Sequence, residues 1–181
     1  MQLFLINFIL IAYYLFSFVR ADITTDAIHL QGLASNTADT IFASLNGTSY
    51  LNTSDLVSRV TAAIQGADSI VISNVSSSGT ANVTLNDAYF NFVDSMLYLA
   101  DTVQRRGRLF HSELNLPVYQ ALQNLSSAVS TYGHDLTSHS LIQRNSTIRT
   151  LTTGSAIVNA QSAWANNQNY PGKRETLSWS G

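Results

Sequence analysis

The stretch TLNDAYFNFVDSMLYLADTVQRR, residues 84–106, decides the fold. Leu85, Tyr89, Phe92, Met96, Leu99 and Val103 recur at alternating steps of four and three, while Asp87, Asp94 and Asp101 fall seven apart on the opposite side. That spacing specifies an amphipathic helix, apolar on one flank and solvated on the other. Thr84 followed by Asp87 resembles a capping box, and Arg105, Arg106 and Gly107 supply the cations and the glycine that favour a C-terminus. Phe90, Val93, Leu97 and Ala100 widen the apolar stripe beyond a two-helix seam. The helix is therefore expected to touch neighbours on more than one side, as the central rod of a bundle.

Helical spacing continues on both sides of this rod. Ile23, Ala27, Leu30, Ala34, Thr37, Ile41 and Ser44 share one stripe upstream, flanked by Leu33, Phe42 and Leu45 and stopped by Asn46-Gly47. Thr53 or Ser54 is placed to cap a second helix carrying Leu56, Val60, Ala63, Ala67 and Ile70. Residues 74–82, NVSSSGTAN, read as a loop. Pro117 suits the first position of a fourth helix, where Val118, Leu122, Leu125, Val129, Tyr132 and Leu136 repeat the spacing and Gly133 implies a kink or a close helix contact. A fifth helix spans about Leu141 to Ala165. One of its sides carries Ile148, Leu151, Val158 and Ala165, another Ile157, Ala160 and Trp164, and its threonines leave it dependent on tertiary contacts. No strand-like alternation competes. The expected fold is all-α, a single antiparallel bundle of about five helices over residues 22–165.

The first 21 residues read differently. Leu3 to Val19 is almost unbroken apolar sequence, and Val19-Arg20-Ala21 offers small residues at the positions signal peptidase requires. A signal peptide cleaved after Ala21 is preferred to a retained anchor, and the product is expected to be secreted. Loss of Arg20 leaves eight basic against eleven acidic residues, with one short cluster at Arg105, Arg106 and Arg108, so nucleic acid is not an expected partner. With no cysteine, stability must come from burial rather than disulfides. Residues 166–181 lack periodicity and are expected to form a mobile tail, in which Lys173-Arg174 is read as a solvated pair rather than a processing site. No apolar run follows that pair, so a glycolipid anchor is not expected.

Six N-glycosylation sequons begin at Asn46, Asn52, Asn74, Asn82, Asn124 and Asn145, all outside the apolar stripes. Catalytic chemistry finds no footing: no nucleophile elbow, zinc pair or phosphate loop is present. His134 and His139, five apart, point ~140° away from each other on a helix and do not converge on one ion. His29 and His111 stand alone. No enzyme activity, metal or cofactor is expected. Large apolar side chains are the remaining resource. Phe42, Tyr89, Phe92, Met96, Leu99, Leu122, Leu125, Val129, Ile148, Val158 and Trp164 are candidates to line an apolar inter-helix cavity, with plain core packing as the competing reading of each.

The apolar leader, the opening Asp22-Ile-Thr-Thr-Asp26, five cysteine-free helices, Leu122-x-x-Leu125 and the closing Ala160-x-x-Ala163-Trp164 together resemble the fungal hydrophobic surface-binding protein A family, which includes cell-wall galactomannoproteins. The resemblance implies a secreted or wall-associated, non-catalytic helical domain, expected to be a monomer, that binds a fatty acid or other apolar ligand or adsorbs to hydrophobic surfaces. Cell-wall polysaccharide is a further candidate partner. The alternative is a structural mannoprotein whose helices merely display N-glycans.

Overall fold

A computed structural model describes residues 2–45, 51–74, 83–109 and 111–165, and the side chains of residues 2–22 and of Asn74 lie outside that description. The described residues form five helices: α1 (Gln2–Ala43), α2 (Thr53–Asn74), α3 (Val83–Arg108), α4 (Asn115–Ser138) and α5 (Ser146–Ala163). The expected all-helical bundle is what they build. Of the features read from sequence, the signal segment is described only as backbone. The tail, Lys173-Arg174, and the sequon side chains of Asn46, Asn74 and Asn82 lie outside the description.

The closest neighbours are alternate helices rather than consecutive ones. α3 lies against α1 and α5, α2 against α4, and the pairs α1–α2 and α4–α5 close a ring in the order α1, α3, α5, α4, α2. Hydrogen bonds across the α1–α3 seam join Ser35 to Ser95, Tyr98 to Asp39 and Arg106 to Ser44, at separations of 60, 59 and 62 residues. Across the α3–α5 seam, Ser146 bonds Asn86, Tyr89 meets Thr150 and Trp164 bonds Val103, at 60, 61 and 61. A nearly constant offset means that α1, α3 and α5 run parallel and in register.

The same period is written in the burial. Ile23, Ala27, Leu30, Ala34, Ala38 and Ile41 of α1 correspond position by position to Leu85, Tyr89, Phe92, Met96, Ala100 and Val103 of α3, and all are buried. Even a tripeptide recurs, Ala38-Asp39-Thr40 and Ala100-Asp101-Thr102, each followed by a β-branched residue, Ile41 and Val103. A helical hairpin too small to bury its own apolar face does so by stacking on its next copy. Alanines at Ala27 and Ala34 of α1 match Tyr89 and Met96 of α3, so bulk is concentrated on the middle helix of the three. Tyr89, Phe92 and Tyr132 meet in the interior with ring centroids 6.0–6.2 Å apart, tilted or edge-on, an arrangement worth ~0.5–1.5 kcal/mol per pair beyond area burial.

Several helix ends differ from the sequence reading, each for a tertiary reason. Asn52, not Thr53 or Ser54, caps α2: its side-chain oxygen accepts the Asp55 amide at 3.1 Å while its carbonyl accepts the Leu56 amide. Thr53 is instead buried, donating from its amide (2.6 Å) and hydroxyl (3.0 Å) to Glu113. The buried face of α2 is also turned from the expected stripe, with Val57, Thr61, Ile64 and Val71 joining Val60 and Ala67 inside while Leu56, Ala63 and Ile70 are half-buried. α3 begins at Val83, so Thr84 is inside its first turn. Arg106 does not serve as a solvated terminal cation. It is buried, pairing with Glu113 through Nε (2.6 Å) and Nη2 and with the Ser44 hydroxyl through Nη1 (2.8 Å). This knot ties the end of α1, the start of α2, the end of α3 and the approach to α4.

Two glycines owe their place to neighbours rather than to chain termination. Gly107 lies within α3 beneath the Trp164 indole, where a Cβ would collide with the ring. On Gly133 a Cβ would collide with the Tyr89 hydroxyl and crowd Thr150, the close contact that the sequence left as one alternative. Gly133→Ala is expected to destabilise by ~1–3 kcal/mol despite its gain in helix propensity, because Tyr89 must leave its 2.7 Å hydrogen bond with Thr150. Urea denaturation read by circular dichroism checks this; an unchanged or raised midpoint refutes the packing account. α4 ends without glycine. Ser140 takes φ 57°, and the amides of Ser140 and Leu141 bond the carbonyls of Thr137 and Leu136 at 3.0 and 2.9 Å, closing the helix with a left-handed residue.

Candidate functional site

α4 and α5 run antiparallel, and the side chains facing outward along their seam are small. Ser126 and Ser130 of α4 and Gly154 and Ser155 of α5 leave an open groove of about 400 Å³ walled by Leu151 and Val158, with Thr150 and Asn159 completing it. A second hollow of about 170 Å³ shares Ser130, Thr150 and Leu151 and continues towards Gly133, His134, Thr137 and Thr147. Leu151 is 67% exposed and Val158 51%, so both present methyl groups to solvent. Ile148 stands on the same outer side of α5 at 69%. The hydroxyls along α5 are internally engaged: Thr150, Thr152, Thr153, Ser155 and Ser162 each donate to the carbonyl four residues back at 3.0–3.1 Å. Those bonds let a hydroxyl-rich helix persist and leave a neutral surface in the groove.

The expected lining residues fall into two groups. Tyr89, Phe92, Met96, Leu99, Leu122, Leu125, Val129 and Trp164 are buried to 1% exposure or less and belong to one packed core. Phe42, Ile148 and Val158 are corrected from inward-facing to exposed. The α5 side that carries Ile157, Ala160 and Trp164 is the buried one, because α3 and α4 both meet it there. Of the eleven candidates, Val158 alone borders the groove. The groove's own signal, Ser and Gly at helical spacing on two successive helices, was present in the sequence but reads there only as weak helix propensity.

At the pole where α2 and α4 end, polar groups gather beneath the surface. The Tyr132 hydroxyl is buried with no hydrogen-bond partner, as is one carboxyl oxygen of Asp68. Burial, with the charge of Asp135 added, raises the proton affinity of Asp68 above its ordinary value of 3.8. Burial pushes Tyr89 up to about 12, opposed by its bond with Thr150, and pushes Tyr132 up as well, with Asp26, Tyr89 and Asp68 adding to the effect. Among the residues whose side chains are described, which leave out residues 2–22 of α1, no group of His, Asp or Glu is disposed to hold a metal ion, and no helix is long and apolar enough to cross a membrane.

Of the sequon residues, Asn52, Asn124 and Asn145 are exposed. The Asn52 side-chain oxygen accepts from the Asp55 amide and the Ser54 hydroxyl. Comparison with models of known protein families, with characterised proteins and with solved structures finds no match for this chain.

Proposed function

We propose that this chain is a secreted, N-glycosylated helical carrier that holds an apolar chain in the α4–α5 groove, in keeping with its resemblance to the hydrophobic surface-binding proteins. The observation that carries this reading is the groove itself: about 400 Å³ of open space with exposed Leu151 and Val158 as walls and no charged group along the larger hollow. That volume lies within the ~300–1,000 Å³ of small-molecule sites. Burying about ten methylenes at ~0.8 kcal/mol each offers ~8 kcal/mol before the costs of association, consistent with micromolar or weaker binding.

Gly154 supplies a clean test. A Cβ there meets nothing within 4 Å, so a larger side chain grows into the groove without disturbing the core. Gly154→Leu is expected to fold at least as stably as the parent, with a gain of up to ~1 kcal/mol in helix propensity. It is also expected to weaken displacement of a fluorescent fatty acid by about tenfold, the equivalent of ~1.4 kcal/mol. Unchanged fatty-acid affinity in Gly154→Leu would count against the groove, and protein that never co-purifies with lipid in native mass spectrometry would count against carriage altogether. Exposed Asn52, Asn124 and Asn145 favour the second reading, a glycan-display mannoprotein. Enzymatic deglycosylation separates the two: a carrier keeps its ligand, whereas a display protein loses its wall association.

A further inference from the structure

The two hollows between α4 and α5 share Ser130, Thr150 and Leu151, so they join into one trough that runs about 18 Å along α5 from Asn159 to Thr147. Its ends differ. At the Asn159 end the lining is uncharged, with Ser126 across from it on α4. At the Thr147 end stands His134, the one ionisable side chain that borders either hollow. Among the described residues neither its ring nor the Thr147 hydroxyl has a hydrogen-bond partner, whereas the neighbouring Thr137 and Thr150 hydroxyls donate to the carbonyls of Gly133 and Ser146 at 2.8 and 3.0 Å. Two donors are thus unspent. Arg144 is exposed in the connection just before α5, where its carbonyl accepts the Thr147 amide at 3.1 Å. Among the described residues no carboxylate pairs with it, in contrast to Arg149, which Asp94 holds at 3.1 Å. α5 has no acid in its first turn, and Asp135, next to His134 in sequence, stands about 100° farther round α4 and borders neither hollow. From this donor-rich end the exposed walls Leu151 and Val158 lead away.

We propose that the groove selects a straight-chain monocarboxylate and holds it in one direction, its carboxylate at His134 and Thr147 and its chain laid over Gly154 between Leu151 and Val158. This rests on the groove being the ligand site and adds to it a headgroup and an orientation. A carboxylate only accepts hydrogen bonds, and the imidazole N–H and the threonine hydroxyl both donate. Bonds to an ionised acceptor are about twice as strong as neutral ones, and no acid lines the trough to repel it. Arg144 adds a solvated cation at the same end, with an attraction that salt screens. At the Asn159 end nothing ionisable competes for the head, so the reversed orientation forgoes the charge. An alcohol of the same chain length keeps every apolar contact and carries no charge. The ratio of the two affinities therefore reads the headgroup end alone.

Calorimetric titration of the full chain with dodecanoate and with dodecanol tests the assignment. Dodecanoate is expected to bind about tenfold tighter than dodecanol. His134→Ala, a change at an exposed position, is expected to remove most of that ratio by weakening the acid and not the alcohol, and His134→Lys to restore it. Asn159→Ala, at the other end, leaves the ratio unchanged. Gly154→Leu weakens both ligands alike, since it fills the path of the chain and touches no headgroup contact. A wild-type ratio near one overturns the proposal, and so does a ratio that survives His134→Ala; if Gly154→Leu still weakens both ligands in that case, the groove stands and only the headgroup assignment falls. Absence of binding by either ligand, or binding indifferent to Gly154→Leu, removes the groove reading and this inference with it.

Discussion

Replacing Glu113 with alanine is expected to remove about 3–5 kcal/mol of stability and to lower the melting temperature by roughly 10 °C. The reason is what remains behind. Arg106 is 3% exposed, and without Glu113 its guanidinium keeps the Ser44 hydroxyl but has no anion, while the Thr53 amide and hydroxyl at the head of α2 lose their acceptor. An uncompensated buried cation is far costlier than the intact pair is favourable, because desolvation offsets most of the Coulomb gain. The paired substitution Arg106→Met with Glu113→Leu should therefore recover the part of the loss that comes from the unpaired cation, while the Thr53 amide and hydroxyl stay without an acceptor. Arg105→Ala, which breaks an exposed pair with Asp101, should shift the midpoint by no more than ~1 kcal/mol. Thermal denaturation of the four proteins decides the matter; a Glu113→Ala chain as stable as Arg105→Ala would show that the knot carries no special weight.

Trp164→Ala is the second large effect, expected at about 3–5 kcal/mol. Trp164 is the largest of the fully buried side chains, at 1% exposure. It donates from Nε1 to the Val103 carbonyl at 3.0 Å, packs at a tilt against His111 with ring centroids 4.3 Å apart, and covers Gly107. It is also the last residue to bind α5 to α3, so its loss removes the anchor of a helix whose composition cannot sustain it alone. Trp164→Phe keeps most of the apolar area and loses the hydrogen bond, for a smaller cost of ~1–2 kcal/mol. Urea midpoints that rank wild type, Phe and Ala in that order support this account. Equal midpoints for Phe and Ala would place the stabilisation in the hydrogen bond rather than in packing.

How much of this was legible beforehand follows from what each feature depends on. The heptad-like run Leu85, Tyr89, Phe92, Met96, Leu99, Val103 is fully buried as read, because a 3.6-residue period and a wide stripe leave one way to satisfy it. α5 was legible as an element, but which of its two apolar sides lies inside was settled only by α3 and α4. The cavity candidates illustrate the limit most clearly. Tyr89, Met96 and Leu122 are equally apolar whether they line a space or fill it, and only their neighbours distinguish the two. The groove lies instead where Ser126, Ser130, Gly154 and Ser155 withhold volume, and a hollow made by small residues leaves no apolar mark in a sequence.

The sequence by itself determined that this protein is helical, that about five helices are to be expected, and which face of the third is buried, since those follow from local periodicity and from the free energy of removing apolar surface from water. Only the tertiary structure decided that alternate helices lie parallel at a sixty-residue offset, that Arg106 is an interior cation held by Glu113, and that Tyr89 meets Thr150 over Gly133. These join residues on different helices or on a helix and its connection, and such pairings depend on the geometry with which helices stack rather than on anything either residue carries alone.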